Sequence, residues 1–529
     1  MKKILYILIP ALMGVTSCSF LDVPPQDIYE IEDFYNTEKD LVSALYGVYA
    51  PMTNSALYGQ MISGRMGLQA DLGYNNYSVD VNTVSENMVA TSDTKVRNYW
   101  TYFYKGINSA NLLIENINRP TDISEEYRLE ILGQARFLRA FYYFMLTNKF
   151  GDIPLRTDSV SGDDVEKLQI AQTPSKEVYD FIISEMEFAA GAVKDINEVT
   201  SPGIVSKSAV WGMLARVCLY NAGYPNYTEG MYEMARKYAK KVISSGKHSL
   251  NPDYTQVFIN YMQDAYDTQE SIWEVEFYGN NKTAYNTAAG SIGRTTGPRN
   301  KHQTGQVGYC LGTVRTNNYH YSLYDATDVR RDWNIAQYYY SADVAGERLE
   351  LTNVYSFYAG KFRREYEVVN PKVNDASPAN FPLLRYADVL LMYAEAYAAD
   401  LNAGAEEQAL AYECLNRVRR RAHSLPEMTA APEVDFPLTS NKSEMLREIQ
   451  DERARELAFE MLRKDDLVRW GIFYERMKSS QLIPPTSTNA SLFDYCSRYL
   501  DNVEQKDVLW PIPSAEMNVN GKLVQNKGW

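Results

Sequence analysis

Histidine is scarce in this 529-residue chain, and the four present, His248, His302, His320 and His423, do not stand at metal-ligand spacing. That argues against a zinc site and implies no metal or other cofactor. Five cysteines are scattered without a Cys-x-x-Cys. Cys218 and Cys414 fall among apolar neighbours in helical patterns, where a small buried thiol is the usual occupant. The spacing of Cys218, Cys310, Cys414 and Cys496 demands no disulfide. No serine elbow, phosphate loop or metal motif is visible. A glycosidase needs two carboxylates about 5 to 9 Å apart across a cleft. Acids such as Asp71 and Asp80 could supply them, but nothing selects such a pair, and the chain reads as a non-enzyme. Basic charge is in deficit too: the formal charge of −14 becomes −16 without Lys2 and Lys3. Nucleic acid and anionic lipid are poor partners for such a surface.

Long apolar runs are missing except at the start. Lys2 and Lys3 precede an apolar stretch from Ile4 to Gly14, and Val15-Thr16-Ser17-Cys18 closes it with small residues. The stretch falls well short of the ~20 residues that a membrane-spanning helix needs. It reads as a secretory signal, residues 1–17, with a cysteine at the cut. This resembles the lipobox of bacterial lipoproteins, in which the cysteine sulfur takes a diacylglycerol and the new amine is acylated. The expectation is a mature chain that starts at Cys18, its lipid anchor, and is otherwise water-soluble. Each buried methylene adds ~0.8 kcal/mol, so two or more acyl chains hold permanently where one would exchange.

Helical periodicity dominates the rest. After Ser124, the acids Glu125 and Glu126 suit a helix N-terminus, and Leu129, Leu132, Ala135, Leu138, Tyr142 and Met145 share a face before Gly151. Thr173-Pro174 reads as cap and first helical residue of the next helix. Ser206 opens another, whose partner runs from about Glu229 to Gly246. Leu384 to Ala398 and Ala409 to Arg421 form a further pair, and one more helix is expected from about Ser443 into Trp470. The fold class is mainly α: tetratricopeptide-like helix pairs, not at a fixed period, interrupted by excursions. The scaffold is expected at about 33–50, 94–246 and 383–478, and loop-rich segments at about 51–93, 251–382 and 479–529. The excursions hold Tyr, Asn, Gly and Thr with a few short strands, such as Ser271 to Phe277. Their aromatic content argues against disorder, and long irregular segments in a compact protein are usually functional.

From Asp451 the residues become specific. Arg453-Ala454-Arg455-Glu456-Leu457-Ala458-Phe459-Glu460-Met461-Leu462-Arg463-Lys464-Asp465-Asp466-Leu467-Val468-Arg469-Trp470-Gly471 closely resembles the signature of the SusD/RagB family of bacterial surface lipoproteins. Within it Asp451/Arg455, Glu460/Lys464 and Asp465/Arg469 are expected as i,i+4 pairs. The family commonly has glycine where Met461 stands. Gly133 to Phe144, Phe150-Gly151-Asp152-Ile153-Pro154-Leu155, Leu384 to Ala396, Leu509-Trp510-Pro511-Ile512-Pro513, the closing Gln525 to Trp529 and Phe20 to Pro25 are similar to further family stretches, in order along the whole of residues 18–529.

The resemblance implies a SusD-like fold in one domain, a helical cradle on one side and a ligand face on the other. It implies a glycan- or oligosaccharide-binding lipoprotein on the outer face of the cell outer membrane, acting in nutrient uptake as the lid of a TonB-dependent, SusC-like transporter. Binding of peptides by the same face, as in relatives that serve peptide uptake, and a ligand-free scaffold capping the transporter are the alternatives.

Sugars present patches of C–H with a rim of hydroxyls, so a site wants aromatic faces ringed by amide, carboxylate and guanidinium groups. Asp71 and Asn75 are expected as hydrogen-bonding partners of the ligand, and Tyr77, Tyr309 and Tyr319 as stacking platforms, with Trp333 a further surface. Trp100 and Trp470 are expected in the helical core.

Overall fold

The structure is a computed structural model that describes residues 34–78, 83–160, 168–282, 288–302, 307–439, 441–480, 482–484 and 490–529. The signal, Cys18 and the Phe20–Pro25 stretch lie outside the described residues, as does Asp80. The fold is mainly α, built on stacked helices of which those of seven or more residues are labelled here. They are α1 (Glu38–Tyr49), α2 (Thr94–Asn116), α3 (Glu125–Phe150), α4 (Ser175–Ala192), α5 (Lys207–Ala222), α6 (Met231–Ile243), α7 (Tyr254–Gln263), α8 (Tyr386–Ala399), α9 (Ala405–Ala422), α10 (Lys442–Glu456), α11 (Arg463–Arg469), α12 (Phe473–Ser479) and α13 (Ala490–Asp501). No helix among the described residues is long and apolar enough to cross a membrane.

Local sequence sets the helix starts. Thr37 caps α1 in a capping box with Asp40, Asp93 caps α2, Ser124 caps α3 and Ser206 caps α5. At α4 the expected cap is corrected: Pro174 is itself the N-cap and offers no side chain, so the Asp152 carboxylate accepts from the Ser175 N–H at 2.8 Å. Each helix packs on the next from α1 through α6, and α6 then packs directly on α8, although more than 140 residues of chain separate Ile243 from Tyr386. The excursion therefore leaves the stack and returns to the place it left. Close approach decides one position: a Cβ on Gly212 of α5 would collide with Leu384. Cys218, Cys310, Cys414 and Cys496 are buried free thiols, and burial pushes the first three up to about 12.

Among the described residues the excursions contribute three small antiparallel sheets. Strands β1 (Gly73–Asn75), β3 (Val314–Thr316), β7 (Tyr358–Ala359) and β4 (Ile335–Ala336) lie side by side in that order. Strand β2 (Ser271–Val275) pairs with β8 (Phe381–Arg385), wholly buried, and β5 (Tyr338–Tyr340) with β6 (Arg348–Glu350).

Charge, not only apolar packing, joins the excursions to the stack. Arg385, at the end of β8, donates to Glu270 at 2.8 Å, Glu456 at 2.9 Å and Glu460 at 2.7 Å, and is wholly buried. Lys361 adds a bond to Glu460 at 2.6 Å, Arg421 one to Glu456 at 2.7 Å, and Arg330 meets Asp328, Glu452 and Glu456. Arg453 joins Asp388 at 2.6 Å to Asp466 at 2.8 Å, and Arg469 clasps Glu395 and Asp466. Burial penalises the Glu456 carboxylate, but Arg421, Arg385 and Arg330 outweigh it and hold the group down to about 2.

The signature segment differs from the expected continuous helix. Helix α10 ends at Glu456, and the chain then turns through left-handed residues Phe459 (φ 61°) and Met461 (φ 66°) before α11. The i,i+4 pairs are replaced accordingly. Arg455 bridges Glu448 and Glu452, Glu460 turns inward to Arg385 and Lys361, Lys464 lies beside the amides of Gln69 and Asn87, and Asp465 meets Lys149.

Candidate functional site

Strands β1 and β3 gather residues that stand far apart in sequence. Their register sets Gly73 against Thr316, Tyr74 against Arg315 and Asn75 against Val314. Glycine is required at the first pair, because a Cβ on Gly73 would strike the Arg315 carbonyl. Asn317 then works at both ends of its amide. Its oxygen accepts from the His320 N–H at 2.9 Å and caps the turn that carries Tyr319, while its nitrogen donates to the Asp71 carbonyl at 2.8 Å. Next to it, burial pushes the His320 imidazole down to about 3, with Lys361 adding to the effect. It bonds Thr316 at 2.8 Å and the Tyr324 hydroxyl at 2.9 Å.

Asp71, expected as a hydrogen-bonding partner of the ligand, is committed to the fold instead. It is 1% exposed, and its carboxylate accepts from Arg463 of α11 at 2.8 Å on each oxygen and from Arg476 of α12 at 2.9 Å. Burial raises this carboxyl, but the two guanidinium groups outweigh it and hold it below the usual carboxylate range. The Arg476 guanidinium also lies 4.4 Å over the Tyr319 ring, so Asp71 and Tyr319 are brought together through it. Asn75 is 1% exposed as well. Its side-chain oxygen accepts from the Tyr77 N–H at 3.0 Å, which fixes the turn after β1, and its own N–H donates to the Tyr499 hydroxyl at 2.9 Å. Both residues brace the face and do not line it.

Tyr77 remains half-buried on that face, with Arg65 4.9 Å from its ring centroid. Tyr309 is half-buried too, and its carbonyl accepts from Arg364 at 2.7 Å. Trp333 is no open platform: it is 6% exposed with the Arg363 guanidinium 4.1 Å from its ring. Trp100 packs in the helical core, and the half-buried Trp470 donates from Nε1 to Glu395 at 2.7 Å.

Four residues outside the expected set complete the surface. The Asn76 N–H donates to the Thr313 carbonyl at 3.0 Å, and its amide, oriented to satisfy both ends, meets Thr313 at 3.1 Å and Arg315 at 3.2 Å. Gly312, at φ 59°, lets the chain pass between Tyr358 and Arg299, where a side chain would clash with both. Arg299 lies 4.8 Å over the half-buried ring of Tyr339, on β5. The run Tyr338-Tyr339-Tyr340 was the available signal, because strand alternation sends its middle ring to the face opposite its neighbours. From Tyr77 past Asn76 and Gly312 to Arg299 and Tyr339, the face offers flat rings, an amide and a guanidinium. These are the groups that recognise C–H patches and hydroxyls.

Comparison with known proteins gives the same architecture. Residues 19–219 match the family described as starch-binding associating with outer membrane. A SusD-like protein of Formosa agariphila is 28% identical over 99% of both chains. The starch-binding protein SusD of Bacteroides thetaiotaomicron is 23% identical over 83% of this chain and 80% of its own. A crystallised SusD homologue from Bacteroides thetaiotaomicron superimposes with a TM-score of 0.84 at 27% identity, over 95% of this chain and 99% of the other. Residues 227–529, which carry the signature turn, the ion-pair network and most of the loop-rich face, match the SusD family, and the chain belongs to it.

Proposed function

We propose that this protein binds glycan at the face built on β1, β3 and β5, as an outer-membrane lipoprotein of nutrient uptake. What supports the reading is the run of neighbours in which Asn76, next to Tyr77, bonds Thr313, Gly312 lies against Arg299, and Arg299 rests on the Tyr339 ring, beside loops tied down by the Asp71–Arg463 pair. Rings that cannot turn and donors that are already placed lose little freedom on binding. The starch-binding name of one relative and the outer-membrane description of a matching family lend support. On this reading Cys18 carries the acyl anchor and the chain closes over a SusC-like, TonB-dependent transporter, a hinged lid being what a flexible lipid tether permits. Tyr77 and Tyr339 stack on sugar rings, Tyr309 and Tyr319 extend the platform, and Asp71 and Asn75 hold it in place.

Affinity electrophoresis through gels containing starch, laminarin or other plant and algal polysaccharides tests the binding. Tyr77→Ala and Tyr339→Ala are each expected to weaken retardation about tenfold, the loss of one good stacking contact of roughly 1.4 kcal/mol. Retardation unchanged in both would remove the site.

A further inference from the structure

We propose that the glycan recognised at this face is anionic, bearing carboxylate or sulfate groups, and that Arg299 and Arg294 meet that charge. This rests on the glycan-binding reading and adds the sign of the ligand to it.

The argument comes from where guanidinium groups find partners. In the scaffold, buried arginines are matched to carboxylates: Arg139 to Glu185, Arg216 to Asp388, Arg453 to Asp466 and Arg469 to Glu395. On the candidate face the pattern inverts. Arg299, half-buried, forms no ion pair among the described residues and rests on the Tyr339 ring. Arg294 keeps a buried Nε without a hydrogen-bond partner, and its carbonyl accepts from the Leu311 N–H at 2.7 Å, which seats it beside the segment that runs into β3. Arg315 spends its guanidinium on the Ser356 carbonyl at 2.7 Å and the Tyr358 ring at 4.4 Å, not on an acid. Lys301 is exposed on the same loop. Of the acids on neighbouring elements, Asp71 is consumed by Arg463 and Arg476, Glu365 is paired with Arg348 and Glu367 with Arg364, which leaves the exposed Glu347 and Glu350 of the β5–β6 hairpin as negative charges that remain.

The result is a local cluster of cations, Arg299, Arg294 and Lys301, on a chain of formal charge −14. An acidic surface repels a polyanion everywhere except at such a patch, so the patch both orients the ligand and selects it. A guanidinium stacked on an aromatic ring keeps its N–H edge free and fixed. That edge matches the paired oxygens of carboxylate or sulfate. Neutral sugars need donors here but not unpaired cations, and a buried unpartnered donor is tolerated where a ligand completes it.

The test uses the full-length chain in non-ionic detergent, in gels containing polygalacturonate, alginate, chondroitin sulfate or dextran sulfate, beside methyl-esterified polygalacturonate, dextran, starch and laminarin. Retardation at least tenfold stronger by one of the charged polymers than by every neutral one is expected. Arg299→Gln and Arg294→Gln should each weaken it at least fivefold, as should raising NaCl from 50 to 300 mM, while Lys241→Gln on α6 leaves it unchanged. Thermal melts of the variants verify folding. Retardation by a neutral glycan that survives both arginine substitutions overturns the charge assignment and leaves the glycan reading standing. Charged-polymer binding indifferent to both substitutions also overturns it, and no retardation by any polymer overturns both.

Discussion

The helical stack and the loop-rich face treat the same side chain in opposite ways. In the stack a buried arginine is surrounded by acids, as Arg385 is by Glu270, Glu456 and Glu460. On the face an arginine lies on a tyrosine ring or a carbonyl, as Arg299 does on Tyr339 and Arg315 on Ser356. Two environments follow from this. Charges that satisfy one another inside protein act as rivets with strict geometry, because any member left alone would be a desolvated charge. Charges that protein leaves open are available to something else. An irregular segment needs the first kind beneath it before it can present the second kind rigidly. Here the frame of Asp71, Arg463 and Arg476 runs directly under Tyr319.

The sharpest break of this contrast is Arg385→Gln. Three buried carboxylates would lose a shared cation, with Glu460 left to Lys361 and Glu456 to Arg421 and Arg330. The expected cost is about 3–5 kcal/mol in denaturant unfolding. A loss under about 1 kcal/mol would mean that the network follows the fold and does not hold it.

A second substitution probes a buried acid of the excursion that has no cation among the described residues. Glu274 of β2 is buried, and burial pushes its carboxyl up to about 8, although hydrogen bonds from Ser271 at 2.6 Å and Asn380 at 3.0 Å oppose the rise and Glu276 and Asp264 add to it. A folded value above the ordinary 4.5 means that the protonated form is favoured by folding. Its contribution is therefore complete below about pH 4.5 and lost as pH climbs toward 8. Glu274→Gln should leave stability nearly unchanged at pH 5 and raise it by roughly 2 kcal/mol at pH 8, measured by thermal melts across that range. Equal pH profiles would show that Glu274 is solvated in the folded protein.

Much of the scaffold was legible from local rules. Ser124 and Ser206 announced helices. The site was legible only in composition. Asp71 and Asn75 were visible as polar residues of a loop, but the arginines that bury Asp71 lie 392 and 405 residues away, beyond any periodic signal. The turn after Glu456 was hidden because its leucines and acids continue a helical pattern. Its one trace was Met461, where the resemblance to the SusD/RagB signature leads one to expect glycine. The left-handed backbone there explains that glycine.

Met461 accordingly gives a smaller test of the frame below the face. A side chain in the left-handed region costs ~1–2 kcal/mol, and a β-branched one costs more. Met461 recovers part of this by packing against two apolar clusters. Met461→Gly should change stability by less than about 1 kcal/mol, relief of strain offsetting lost contact, while Met461→Val should lose about 2 kcal/mol relative to glycine. The reverse order in denaturant midpoints would mean that the turn relaxes away from this geometry.

The smallest expected effect on folding belongs to Arg299→Gln, which is also the variant expected to change ligand binding. Among the described residues its guanidinium touches one ring and no acid, so truncation removes a cation–π contact of ~0.5–1 kcal/mol at a partly exposed site and leaves no charge stranded. Substituting Arg385 in the same way strands carboxylates that Arg299 does not have. Thermal midpoints should therefore separate the two glutamine variants by many degrees. If Arg299→Gln melted as early as Arg385→Gln, the face would be as much a rivet as the stack, and its open arginine would have to be explained by folding alone.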